Sequence, residues 1–375
     1  MRINKKQFWS TLGAVLVLAV ITGGLAGVIA SVLTNQSLDR YVQSLSGDDL
    51  TLISQVKPRP LPGTYEEALS RVQESGWPAF ATITSSSVDS QSSASWIQEI
   101  DSVGHGAVIT SDGWILAHSD SLSRFYTPTT QAEVWVDGER FEIQNIVYDT
   151  LTDAALIKVD AQNLPVLAFG ATQNMSGGEF VFGITSTHSL VASSLEDPDR
   201  HVDSLILRAE EFDTYWRLTD NVETGTPLLN SLGELVGFMS SDHKAIPLHH
   251  ALGFIQSVLR SGEVERAALG AYVVDVDTVL NVDAGLGVGV DAGALIVAPN
   301  SWTSAVDASG PADLAGLLAG DLIVSIDETN IMNGTSLSEA LGSYSPGSTA
   351  RIIIIRTGEI IEVEVTFANL SDLVY

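Results

Sequence analysis

Residues 219–238 read Thr219-Asp220-Asn221-Val222-Glu223-Thr224-Gly225-Thr226-Pro227-Leu228-Leu229-Asn230-Ser231-Leu232-Gly233-Glu234-Leu235-Val236-Gly237-Phe238. A loop, Val222 to Thr226, runs into strand-like apolar residues on either side of an Asn230–Gly233 turn. Thr224 puts a hydroxyl in that loop, and a hydroxyl becomes a nucleophile only when a neighbouring base takes its proton. Whether the chain supplies such a base decides whether this loop does chemistry.

The chain has 375 residues, 45% of them hydrophobic, which is enough for more than one buried core and for two or three domains. Its 18 Lys and Arg stand against 46 Asp and Glu, for a formal net charge of -28. So acidic a chain repels phosphate backbones, which excludes nucleic acid as a natural partner, while cationic or unfolded polypeptides are tolerated. With no cysteine, disulfides, thiol catalysis and Cys-zinc sites are excluded. No metal and no cofactor is expected.

Residues 1–34 combine a basic end (Arg2, Lys5, Lys6) with an apolar stretch, Thr11 to Leu33. At about 1.5 Å per residue this stretch crosses a bilayer core of about 30 Å. The expectation is a single-pass cell-membrane anchor through residues 11–33, with the N-terminus cytoplasmic and the body extracytoplasmic. A signal peptide cleaved after Val28-Ile29-Ala30 is the rival reading. Residues 35–63, ending in Lys57-Pro58-Arg59-Pro60-Leu61-Pro62-Gly63, read as an extended stalk. Thr64 then N-caps a short helix with Glu66 and Glu67 in its first turn.

After Pro78 the texture is of short strands: 79–84, 106–110, 114–117, 133–136, 141–148 and 154–159. Asp112-Gly113 and Asp137-Gly138 are turns between them, and the pattern predicts an all-β barrel or sandwich. Ser85 to Ser95 reads as a surface loop.

Gly104-His105-Gly106-Ala107-Val108-Ile109-Thr110-Ser111-Asp112-Gly113-Trp114-Ile115-Leu116 resembles the G-S-G-V-I-I-x-x-D-G-Y-I-L stretch of HtrA/DegP-like serine proteases. Asp149 to Val159 is similar to that family's D-P-x-T-D-L-A-L-L-K-I, Leu164-Pro165 with Leu167 to Gly170 to its L-P-x-x-x-L-G, and Ala245-Ile246-Pro247 to its A-I-P. Val222 to Leu228 lies where the family has G-N-S-G-G-P-L. The resemblance implies a mainly β chain, with a trypsin-like double six-stranded barrel over residues 64–262.

In that family a serine attacks once a histidine accepts its proton, an aspartate orients the histidine, and backbone N–H groups hold the oxyanion. By resemblance the orienting acid is Asp153, the histidine position carries Asp120, and the nucleophile position carries Thr224. Val222 replaces the oxyanion glycine, and a β-branched residue resists the positive φ that glycine permits. The loop is also shorter than the family's. His118, two residues before Asp120, is the candidate displaced base. The expectation is a pseudoprotease; the alternative is a serine-type endopeptidase with a non-standard site, using Thr224.

Residues 263–375 resemble the family's PDZ domain. Pro311-Ala312, Ala315-Gly316-Leu317 and Ala319-Gly320-Asp321-Leu322-Ile323 match its S-P-A-x-x-A-G-L-x-x-G-D-x-I. PDZ domains add a peptide as a strand and capture its terminal carboxylate on loop N–H groups. By resemblance Leu269, Gly270, Ala271 and Tyr272 form the carboxylate loop, Val273 continues the strand, and Leu337 and Leu341 stand on the facing helix. The Gly- and Asp-rich run from Val279 to Ala292 reads as a loop. The expected partners are polypeptides or C-terminal peptides, in an adaptor, regulator or holdase role in envelope protein quality control, and family precedent implies a homotrimer.

Overall fold

The computed structural model describes residues 60–85, 102–123, 132–172, 175–185, 189–196, 204–212, 214–276, 279, 292–331 and 335–373. The expected span at 11–33, nearly all of the stalk, most of the Ser-rich loop and most of the 279–292 loop lie outside these residues. Among the described residues no helix is long and apolar enough to cross a membrane.

Helix α1 (Tyr65–Gly76) starts where the sequence places it, with Thr64 Oγ1 accepting the Glu67 N–H at 3.2 Å. Strands β1 (Phe80–Ser85), β2 (Ser102–Val108) and β3 (Trp114–His118) follow, then a single helical turn, α2 (Asp120–Ser123). Then come β4 (Ala132–Val136), β5 (Glu139–Tyr148) and β6 (Ala154–Val159). These six strands close a barrel in the order β1-β2-β3-β6-β5-β4. Its tight turns use residues that accept positive φ: Gly113 at 103°, and Asp137 and Gly138 at 47° and 79°.

The second sheet comprises β7 (Phe180–Ile184), β8 (Leu190–Ser194), β10 (Trp216–Arg217), β11 (Pro227–Leu229), β12 (Leu235–Ser241) and β13 (Lys244–Pro247), in the order β10-β13-β12-β11-β7-β8. Between β8 and β10 the chain makes the two-residue strand β9 (Leu207–Arg208), which pairs elsewhere. A Leu195–Leu218 bridge joins the two edges of the sheet, with Thr219 N–H donating to Ser194 O at 3.1 Å. The second barrel is thus closed by a seam rather than by a full ladder. Helix α3 (Leu248–Ser261) ends at Gly262, φ 80°, and its Leu248, Ala251, Phe254, Ile255 and Val258 belong to the same buried core as the first barrel's Ile83, Ile115 and Leu156. Each of these Leu, Ile, Val and Phe side chains contributes about 1.5–3 kcal/mol by leaving water.

The C-terminal part is built from β14 (Ala267–Ala268), β15 (Tyr272–Asp275), β16 (Ala294–Ile296), the short helix α4 (Pro311–Leu314), β17 (Leu322–Ile326), β18 (Thr329–Asn330), helix α5 (Leu337–Leu341), β19 (Thr349–Arg356), β20 (Glu359–Thr366) and β21 (Ala368–Asn369). Six strands of its sheet run β20-β19-β17-β16-β15-β9, so the edge strand comes from the second barrel's chain. Helix α4 stops at Leu314, because Gly316 takes φ 78° and turns the chain.

Candidate functional site

The end of β3 and the start of β6 meet side by side: His118 pairs with Ala154, and Ser119 N–H donates to Asp153 O at 2.7 Å. Asp120 opens α2 and is exposed, and Asp153 is exposed with φ 54°. His118 is buried behind them, its ring 6.3 Å from Phe238. Burial pushes its imidazole below the usual range, against the pull of Asp153 and Asp120. Its Nδ1 accepts the Asp120 N–H at 3.2 Å, which assigns the proton of the neutral ring to Nε2.

Across the cleft, Thr226 N–H donates to Glu223 O at 3.2 Å, closing a turn with Thr224 and Gly225 in its centre. Gly225 has φ 84°, as the third residue of a type II turn requires. Its N–H donates to Met239 O at 2.7 Å, and Met239 N–H returns to Thr226 O at 3.0 Å, strapping the loop to β12. A Cβ at Gly225 would lie 3.1 Å from Ser121 Oγ and 3.3 Å from His118 Cβ, so the turn rests directly on the rim of the first barrel. Half-buried Thr224 is carried to that rim.

Val222 faces away from the rim. It is 4% exposed, packs in the second barrel's core with Val181, Leu228 and Met239, and is not among the positive-φ residues. Below the turn, Thr226 Oγ1 lies 3.1 Å from His105 Nε2, and the His105 ring stacks on Phe80 at 5.7 Å. Burial lowers the His105 pKa, while Glu223 pulls the other way. His105 stands in an otherwise apolar strand motif, and a polar side chain committed to a core needs a partner; that was the available sequence signal for the link to Thr226.

At the C-terminal domain, Leu269 to Ala271 form a loop before β15, with Gly270 at φ 73°. The partners of this loop lie in the second barrel's chain. β9 runs antiparallel to β15 with Leu207 opposite Val273 and Arg208 opposite Tyr272, and Ala209 N–H donates to Ala271 O at 2.8 Å. Glu210 Oε1 accepts the N–H groups of Leu269 at 2.6 Å and Gly270 at 2.8 Å. Burial pushes the Glu210 carboxyl up, against the pull of those N–H groups and of Arg208. Leu337 and Leu341 are both buried in the domain core, and Leu337 also borders the cavity beneath β9.

Two polar clusters tie the parts together. Glu339 on α5 has Oε1 3.1 Å from His249 Nε2 and 3.7 Å from His250 Nε2, both on α3, while His249 Nδ1 is 2.7 Å from Thr172 Oγ1. The ligand-capable atoms of His249, His250 and Glu339 lie within 4.8 Å of one another, a set able to hold a divalent metal. Arg266 reaches Asp149, which also accepts from Thr152 Oγ1. Glu339 and His249 are 90 residues apart and Arg266 and Asp149 117 apart, so nothing local in the chain pairs them.

A family model described as PDZ domain matches residues 263–367. A probable periplasmic serine endoprotease DegP-like of Halomonas elongata is 29% identical over 73% of this chain and 58% of its own length; that of Ectopseudomonas mendocina gives the same figures. The chain therefore spans less than two thirds of these relatives. Among solved structures, the HtrA-type protease AlgW with decapeptide superposes with a TM-score of 0.55 at 22% identity, over 82% of this chain and 98% of that one. AlgW with tripeptide gives 0.58 at 21%, over 80% and 96%.

Proposed function

This chain is a member of the HtrA family, and from that premise we propose that it is a peptide-binding pseudoprotease: a barrel that positions polypeptides without cutting them and a PDZ domain that takes peptide C-termini. The periplasmic assignment of the relatives supports an extracytoplasmic body, and residues 11–33 would anchor it. The role that follows is adaptor, regulator or holdase among extracytoplasmic proteins. That solved HtrA-type structures carry a decapeptide and a tripeptide supports peptides as the ligand class.

The observation that carries the reading is the state of His118. A general base needs a free lone pair directed at the nucleophile's proton. The Nδ1 lone pair of His118 receives the Asp120 N–H, the Nε2 lone pair is protonated in that tautomer, and burial disfavours the imidazolium that base catalysis would create. Asp120, at the position where the family has its histidine, is a carboxylate beside a second carboxylate, Asp153, and a weak base for an alcohol. Val222 adds to this, because it is not in the positive-φ region that a glycine at the family's oxyanion position permits.

The test is to incubate the full chain with unfolded casein and a fluorophosphonate probe, beside Thr224→Ala. The expected result is no cleavage and no labelling by either protein. Cleavage or labelling that Thr224→Ala abolishes would establish the endopeptidase alternative.

A further inference from the structure

A PDZ groove recognises a peptide through three features: a strand added antiparallel to the domain's exposed edge, a carboxylate received by loop N–H groups, and a last side chain in the pocket beneath. In this chain all three are supplied internally. The added strand is Leu207–Arg208, which pairs with Val273 and Tyr272 and runs toward the carboxylate loop, as a ligand's C-terminal end does. The carboxylate is that of Glu210, whose Oε1 receives the N–H groups of Leu269 and Gly270. The last side chain is Ala209, 1% exposed and packed into the same core as Leu269, Leu337 and Leu341.

Arg208 fastens the arrangement. Its guanidinium reaches Asp307 at 2.5 Å and Glu210 Oε2 at 3.5 Å and lies over the Tyr272 ring at 5.2 Å. Glu210 is only 4% exposed; its Oε1 takes the two N–H groups, and its Oε2, which accepts no hydrogen bond, faces the Arg208 guanidinium, so donors and a countercharge offset part of the cost of burying the carboxyl group. A chance contact of a loop with a sheet edge has no reason to satisfy ladder, pocket and anion nest together.

We infer that residues 207–210 are an internal ligand of the PDZ groove, with the Glu210 side chain standing in for a chain terminus, and that a free peptide C-terminus binds by displacing them. The inference rests on the reading of this groove as a peptide site. The ligand class follows from the occupant: a free α-carboxylate, a small apolar last residue that fits where Ala209 sits, and a residue before it compatible with Arg208's place over Tyr272.

The test uses the full chain and a fluorescent hexapeptide of its own residues 204–209, Ser-Leu-Ile-Leu-Arg-Ala, with a free carboxylate or a C-terminal amide. Fluorescence polarisation is read on the wild-type chain, Glu210→Ala, the isosteric Glu210→Gln, and Asp307→Asn, which leaves the loop intact and loosens Arg208. Hydrogen exchange is followed at the amides of residues 269–273. The inference expects Glu210→Ala and Glu210→Gln to bind the free-carboxylate peptide at least tenfold more tightly than wild type, Asp307→Asn to gain a few-fold, and the amide to bind none of them. Exchange at 269–273 rises in the unliganded Glu210 variants and falls again with peptide. Equal, carboxylate-dependent binding by wild type and the Glu210 variants overturns the internal ligand while leaving the groove a peptide site. Faster exchange without binding in any variant overturns the peptide reading of the groove and the displacement with it, and unchanged exchange and unchanged binding overturn the internal ligand alone.

Discussion

His249 Nε2 on the barrel's closing helix lies 3.1 Å from Glu339 Oε1 on the PDZ helix, and His250 beside it stacks on Phe212 with ring centroids 4.1 Å apart. His250 is fully enclosed, facing Glu339, His249, the nearby positive charge of Arg266 and the Phe212 ring. Burial pushes its pKa down to about 4 despite Glu339, and the Glu339 carboxyl is held at about 2, its own burial outweighed by His249 and His250.

The sign of the resulting pH dependence follows from linkage. Unfolded His250 takes up a proton as pH falls through about 6.5, while the folded residue resists until about 4. Unfolded Glu339 protonates near 4.5 and the folded residue only near 2. Both groups have depressed folded values, so the stability they contribute is full above about pH 6.5 and is lost as pH falls. The expected loss between pH 6.5 and 4 is on the order of 2 kcal/mol, read from denaturant unfolding across that range. His250→Phe, which keeps an aromatic ring against Phe212, flattens this window; an unchanged slope in that variant would place the pH dependence elsewhere.

Arg266 and Asp149 form a second tie, both nearly sealed from solvent and 2.5 Å apart. Removing one partner of a buried pair leaves the other charge uncompensated, at a cost of about 3–5 kcal/mol. Arg266→Met should therefore lower unfolding stability by that amount, although Thr152 Oγ1 still donates to Asp149. The double variant Arg266→Met/Asp149→Leu should recover most of the loss, because two apolar side chains replace the pair without an orphaned charge. A double variant as unstable as the single one would mean that Arg266 acts through packing on Phe212, which its guanidinium covers at 5.6 Å.

What the sequence discloses and what it hides divide along sequence separation. The Asp112-Gly113 and Asp137-Gly138 turns and the short apolar runs beside them, alternating in burial in β4, mark the first barrel's strands, because turn chemistry and strand patterning are local properties. Thr64 declares its helix for the same reason. The positions of Asp120, Asp153, Thr224 and Val222 come from the resemblance, and the structure brings their loops to one rim. Strand β9 has two residues, too few for any periodicity, and Glu210 meets its donors 59 and 60 residues away. Glu210, His249 and Glu339 look like ordinary charged or polar residues until the fold pairs them, so the occupied groove and the histidine tie were not legible.

The Thr64 cap offers a local control. Its hydroxyl accepts the Glu67 N–H, one of the donors a helix start otherwise leaves unpaired. Thr64→Ala should cost about 1 kcal/mol, visible as a small drop in the denaturation midpoint with no change in the unfolding slope. A loss several times larger would show that Thr64 supports more than the first turn of α1.

Val222 offers a direct test of the pseudoprotease proposal. If the residue were only a missing glycine, Val222→Gly would be a benign step toward an oxyanion hole. Its side chain is instead part of the second barrel's core, with Cγ1 3.2 Å from the point where a Cβ on Gly183 would sit. Deleting it removes buried apolar atoms, leaves a cavity, and frees the unfolded backbone, together worth about 3 kcal/mol. The turn beside it is also held by the Gly225 and Thr226 N–H bonds to Met239 O and Glu223 O, which the substitution does not release. Val222→Gly should therefore destabilise the chain by about 3 kcal/mol in chemical denaturation, and Val222→Gly/Thr224→Ser should still leave unfolded casein intact. A stable, casein-cleaving double variant would mean that the loop relaxes freely into a catalytic shape and would overturn the pseudoprotease proposal.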